Sequence, residues 1–470
     1  MRVSFSFLAL LGASLARGNV QRRECSNDNC LRAFVREGSP AEIFCATYSP
    51  GDSIPSFAAN CDGSASRVES ACACISTATS TTITTTTVSS RSFSETATAT
   101  LPLTTASTTR ASTTTTAATI TAATTSTPDC HCTAWSQISA AQSLCPHLTL
   151  DNIAVPSAKG LSLTNLQVGA TVTFIGNTSF EYTPRSGYKM VQISGNNVVI
   201  KGAPGSFFDG GGPLYWDGLG NNGGGPKPGI FMKLSLKNES LVTDLYVLNT
   251  PTHAIDVDGV YDSTIQRIIV NNSMGDTPNA ISNGLSAGHN TDAFDVGNVE
   301  NLLMQDIQVW NQDDCVALSV SNNVTFRNFY CSGSHGLSIA GEEMDRAIIF
   351  TDAVVTNSSY GLRIKTDYNA TGSVANVTYS NIFVSNIKAR GIDIEQDYLN
   401  GGPNGLPTNG VAVHNITYRN VTGWVAEGAA DYYVLCGVGS CKDFKYEHVR
   451  ITGGTVESSC NYPWHGCPGP

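Results

Sequence analysis

A short pattern recurs through the longer, C-terminal part of the chain and restricts the fold more than any other feature. A polar residue, an apolar residue, any residue and then Val, Ile or Cys appear as DLYV at 244, RIIV at 267 and DIQV at 306. The series continues with NFYC at 328, DAVV at 352, NIFV at 381 and HVRI at 448. The steps are 23, 39, 22, 24, 29 and 67 residues, the last spanning two turns with a degenerate NVTG at 420. Short β-branched strands with Gly and Asn turns at such steps indicate a solenoid of stacked coils. A helical solenoid would need apolar residues about every 3.6 positions, whereas these strands alternate at period two. A β-sandwich would carry turn signals roughly every 8–12 residues, which are missing. The pattern predicts an all-β chain with a right-handed parallel β-helix over 129–470.

Composition agrees. Hydrophobic residues make up 41% and charged residues 14%, enough for a real core, and 44 Gly against 6 Met favours turns and strands over packed helices. The net charge of −11 argues against a nucleic-acid surface.

The N-terminal part is organised differently. Arg2, the apolar run FSFLALLGASLA and small residues around Ala16 and Gly18 describe a secretory signal over 1–18. The run is too short to span a bilayer, and no later segment is long enough. Asn-x-Ser/Thr acceptor sites, from Asn177 to Asn420, suit a secreted glycoprotein surface. Residues 19–75 hold six of the 15 cysteines, which implies a small module with three disulfides. In residues 76–128, 33 of 53 are Ser or Thr, so this stretch reads as an O-glycosylated linker. Nine cysteines follow it, an odd number. The expectation is an extracellular monomer without nucleic-acid or membrane partners.

A second register runs through the same coils. HNTDAFDV, NQDDCVAL, GSHGLSI, YGLRIKT and RGIDIEQDY each place polar residues just before an apolar strand. Aligning them sets Asp292, Asp314 and His335 at steps of 22 and 21 residues. One coil moves a residue about 4.8 Å sideways without changing its face. These three therefore share one surface, with Asp313 beside them and Arg363 and Lys365 on the next coil. Asp313 and Asp314 can both face that surface only if a turn or bulge lies there. Single Asp residues between strands are commonly turn formers; three in register with a His and an Arg-x-Lys form a constellation. Crowded carboxylates repel, so at least one keeps its proton above the usual pKa of about 4. A protonated carboxyl beside an ionised one is what glycoside hydrolysis uses. Arg363 and Lys365 supply cations for a polyanionic substrate. The glycine-rich segment from Asp209 lacks P-loop spacing.

At these residues the chain resembles glycoside hydrolase family 28, and within it the fungal endopolygalacturonases. The resemblance covers nearly all of 129–470 through HNTDAFD, NQDDCVA, CSGSHGLSI, RIKT, EQDY and LCGVGSC. It implies a metal-independent, cofactor-free hydrolase that cleaves the α-1,4-galacturonosyl linkages of homogalacturonan (pectin) with inversion. By resemblance, Asp313 is the general acid, Asp292 and Asp314 hold the attacking water, and His335 supports the acid's protonation state. Arg363 and Lys365 match cations that hold galacturonate carboxylates, Tyr398 lines that site, and Asn290 positions. The glycine-rich segment resembles the family's cleft loop. Resemblance also implies Cys315–Cys331 joining adjacent coils under the site, Cys436–Cys441 and Cys460–Cys467 closing C-terminal loops, and Cys145 paired with Cys132 or Cys130. The nearest alternatives are a hydrolase of substituted pectin such as xylogalacturonan, a calcium-dependent pectate lyase, and a weakly active pectin-binding β-helix. After GSHGLSI the chain departs from the family, with Glu342, Glu343 and Asp345 replacing small residues and Ser334 replacing a glycine. These acids are expected to repel galacturonate carboxylates.

Overall fold

The computed structural model describes residues 130–468 apart from 342–343 and 401–403, together with parts of 30–72. The signal segment, the linker, Cys25, Cys74, Glu342 and Glu343 lie outside the described residues. Residues 130–468 form a right-handed parallel β-helix in which each coil pairs, parallel and in register, with the next.

The repeat seen in the sequence is a corner of this helix. Asp244, Arg267, Asp306, Asn328, Asp352, Asn381, Asn420 and His448, the leading polar residues of the pattern, all have φ between 51° and 59°. This left-handed conformation is several-fold enriched in Asn and Asp, whose short polar side chains bond locally. Here they also bond along the stack. Asn328 Nδ2 donates to Asp306 Oδ1 at 2.7 Å, Asn381 to Asp352 at 3.0 Å and Asn420 to Asn381 at 3.1 Å. Each corner turns the chain into the next face, in most coils without interrupting the long strand that carries it.

Inside, like residues stack on like. Val257, Val296, Leu318, Ile339, Ile364, Ile394 and Val434 are successive register partners on one face, and all are buried. Each such side chain contributes about 1.5–3 kcal/mol on burial. On a second face Phe326, Phe350, Tyr379, Tyr418 and Tyr446 stack with ring centroids 4.6, 4.8, 5.2 and 5.3 Å apart and nearly parallel planes. The helix Trp135–Ala141 adds Ile138 and Ala141 to the main core at the N-terminal end, and the Cys130–Cys145 disulfide brackets it.

Cys436–Cys441 and Cys460–Cys467 are disulfides, and Cys145 pairs with Cys130. Cys315–Cys331 also forms, but it does not join adjacent coils. Cys331 lies in the strand Val316–Ser332, which begins directly after Cys315 and wraps around the solenoid. The bond therefore closes a single coil on itself. In the N-terminal module, Cys30–Cys61 and Cys45–Cys72 are disulfides, the second anchored in the helix Ser39–Thr47, and Leu285 shares the module's buried cluster. Among the described residues no helix is long and apolar enough to cross a membrane.

Candidate active site

One column of register partners carries the polar residues. Ile255 pairs with Phe294, Phe294 with Val316, Val316 with Leu337 and Leu337 with Leu362. Two positions before each lie His253, Asp292, Asp314, His335 and Tyr360. The structure thus brings Asp292, Asp314 and His335 into one row, and Asp313 joins them through a turn. Strand structure begins only at Val316, and Asn311, which is 1% exposed, shapes the segment before it. Its Nδ2 faces the carbonyls of Thr291, Asp313 and Asp314 at 3.0, 2.9 and 2.8 Å. The backbone N–H of His335 donates to the Asp313 carbonyl at 2.7 Å.

The acids differ in their partners. Asp313 Oδ1 lies 2.8 Å from His335 Nδ1, and its Oδ2 accepts from Asn290 Nδ2 at 3.2 Å. Asp314 accepts from Ser338 Oγ at 2.6 Å and from Lys365 Nζ at 2.7 Å. Asp292 Oδ1 is buried and accepts no hydrogen bond, and His253 Nδ1 lies 3.3 Å from it. Burial opposes ionisation of Asp313, but the charges of His335, His289 and Lys365 overcome it and hold its carboxyl far below the usual range. Burial and the charge of Asp313 push Asp292 well above it. Burial and mutual repulsion thus set the two carboxyls apart, Asp292 favouring its protonated form and Asp313 its ionised one.

The glycine-rich segment packs against this row. A Cβ on Gly220 (φ 54°) would stand 2.5 Å from the His289 carbonyl oxygen, so only glycine allows the approach. Asn221 N–H donates to Asn290 Oδ1 at 3.1 Å, and the Asn222 amide lies 3.0 Å from His289 Nε2. Lys227, nearly buried, pins the loop through Asp217 at 2.8 Å and the Gly220 carbonyl at 3.1 Å.

The cations are not free charges. Arg363 is 3% exposed and its Nε lies 3.1 Å from both Asp393 and Glu395, which are fully buried. Arg390 binds the same two acids at 2.9 and 3.1 Å. The Arg363 guanidinium lies over Tyr360 at 3.8 Å and Tyr398 at 5.2 Å, and Lys365 Nζ lies 5.1 Å from the Tyr398 ring. Asp345 corrects an expectation. It is 1% exposed, accepts from Ser321 Oγ at 2.7 Å and pairs with Ser321 on another face, so it does not confront the cleft. Ser334 is buried and hydrogen-bonds with Ser358 Oγ at 2.9 Å.

Sequence reasoning missed His253, His289, Asn311, Asp295 and the Arg390–Asp393–Glu395 cluster. His289 and Asn311 flank the aspartates within the motifs; nothing in the sequence ties His253 to Asp292 across a 39-residue step.

A buried row of carboxyls whose surroundings push their titrations apart, along a parallel β-helix, suits acid–base hydrolysis of a glycosidic bond. Comparison with known proteins makes this specific. The profile of the glycosyl hydrolases family 28 matches residues 145–467, and the chain belongs to that family. It is 40% identical over 461 residues to a probable endopolygalacturonase D of Neosartorya fischeri, covering 94% of this chain and 95% of that protein. It is 44% identical over 346 residues to a polygalacturonase of Fusarium fujikuroi, covering 72% of this chain and 93% of that one. Endopolygalacturonase I from Stereum purpureum, solved with two galacturonates, superposes with a TM-score of 0.62 at 32% identity, covering 70% of this chain and 96% of that chain. The endo-xylogalacturonan hydrolase of Aspergillus tubingensis shares the fold, with a TM-score of 0.57 at 20% identity over 69% of this chain and 91% of that one.

Proposed function

We propose that the protein is a secreted endopolygalacturonase that hydrolyses α-1,4-galacturonosyl linkages of homogalacturonan with inversion. The observation that carries this reading is the row Asp292–Asp314–His335 with Asp313 turned into it. In this reading Asp313 protonates the leaving oxygen, Asp292 and Asp314 hold the attacking water, and His335 with Asn290 fixes the acid. Asp313, whose carboxyl is held low in the free site, has to take up a proton before the bond breaks. Arg363, Lys365 and Tyr398 face the sugar carboxylate, and the Ser/Thr-rich linker separates a small disulfide module from the catalytic domain.

Stereochemistry is the sharpest test. One oxygen of Asp313 and one of Asp314 lie within 4.8 Å, closer than the ~6.5–9.5 Å usual between inverting carboxyls. Read alone, that spacing predicts retention; the reading here makes the two neighbours an acid and a water holder rather than partners across the sugar. NMR of the first product from polygalacturonate is expected to show the β anomer, with product size falling quickly in a time course. An α product would overturn inversion, and slow release of single sugars would overturn the endo mode.

Lys365→Ala separates two roles. As a carboxylate clamp alone, Lys365 would act on ground and transition states alike, and its loss would raise KM. Its contact with buried Asp314 predicts more. The variant is expected to lose about tenfold or more in kcat as well, because Asp314 loses its counter-ion. Michaelis kinetics on polygalacturonate check this, and a change confined to KM would leave only the clamp.

A further inference from the structure

His253 opens the strand His253–Asp258, one coil before Asp292, and the backbone N–H of Ala254 donates to the Asp292 carbonyl at 2.8 Å. Its Nδ1 lies 2.7 Å from Asp295 Oδ2 and 3.3 Å from Asp292 Oδ1, the oxygen that accepts no hydrogen bond. One ring nitrogen therefore faces two carboxylates from the following coil. The surrounding charges favour a protonated ring. Asp313 lies beyond Asp292, with His335 paired to it. On the other side, Lys233 is taken up by Asp256 at 3.0 Å and Asp258 at 2.6 Å, so it does not cancel the charge at Asp292. Burial opposes protonation of His253, but Asp292, Asp295 and Asp313 outweigh it and raise its pKa to about 10.

We propose that His253 is a positioning residue for the hydrolysis: anchored by Asp295, its ring orients the Asp292 carboxylate and places a positive charge against it. This rests on the reading of Asp292 as a holder of the attacking water. An ionised Asp292 is needed for that task, while Asp313 and Asp314 both oppose its ionisation. Opposite charge on the adjacent coil offsets them within the row. The ring is half-buried at the cleft surface, so two rival roles exist: contact with the sugar, or packing alone.

The test is His253→Gln in the full chain, with His253→Lys as the charge-retaining comparison. In the glutamine variant the Asp292 carboxyl rises further, so the acid limb of the kcat profile moves to higher pH. The expected shift is about one unit, equivalent to roughly tenfold lower kcat on the acid side, with KM within about twofold. The lysine variant is expected to recover part of the limb. An unmoved limb with a raised KM would make His253 a sugar contact, and a lower Tm with unchanged kinetics would make it packing; either overturns the proposal. Titration of the Asp292 carboxyl by ¹³C NMR without substrate keeps the pairing testable apart from the assigned activity. It is expected to titrate higher in His253→Gln, and an unmoved titration overturns the pairing whatever polymer the enzyme cleaves.

Discussion

Replacing Asp313 by Asn is expected to lower kcat on polygalacturonate about 10²- to 10⁴-fold while leaving the fold unchanged. Asparagine fills the same volume, and its carbonyl oxygen can still accept from His335 Nδ1 or from the Asp314 N–H, which now donates to Asp313 Oδ1 at 2.9 Å. What it cannot do is give a proton to the leaving oxygen. The circular dichroism spectrum and melting temperature should match those of the wild type. Residual activity within tenfold of the wild type would mean that another carboxyl is the acid. Asp292, whose carboxyl is pushed well above its usual range, would be the next to replace.

Asp393→Ala should have the largest effect on stability. Asp393 and Glu395 are fully buried and jointly neutralise Arg363 and Arg390. Alanine at 393 leaves two guanidinium groups sharing one carboxylate inside the protein. Breaking a buried pair by removing one partner costs about 3–5 kcal/mol, mostly from the charge left uncompensated. Thermal melting should show a fall of several degrees, and a double Asp393→Ala, Arg390→Ala variant should recover part of it. A melting point equal to the wild type would show that water or a rearranged Arg390 replaces the lost charge. The same cluster underlies the orientation of Arg363, so activity should fall as well.

The fold was legible because its corners use a conformation that few residues accept. Asp306, Asn328, Asp352 and Asn381 advertise those corners at short, regular steps. The row Asp292, Asp314 and His335 was legible for a related reason: two consecutive coils have nearly equal length, so sequence spacing equals spatial register. Where a loop interrupts a coil, spacing loses that meaning. The segment 272–291 separates His253 from Asp292 in sequence although they are neighbours in the stack. The facing of Asp345 was missed because its register partner is Ser321, on another face than the aspartate row. Arg363 read as an open cation because its acids arrive 30 and 32 residues later from the next coil.

The column of stacked rings has an optical consequence. Phe326 and Phe350 lead into Tyr379, Tyr418 and Tyr446, whose planes lie within 3° and 5° of one another along the row. Phenol chromophores held face to face at such distances couple their transitions, so the near-ultraviolet dichroism reports on the column rather than on separate tyrosines. Burial pushes all three phenols well above their ordinary range. Phenolates are therefore expected to form here only as the coils come apart. A late, abrupt rise in phenolate absorbance, simultaneous with loss of the coupled signal, would mark the moment the solenoid opens along its length.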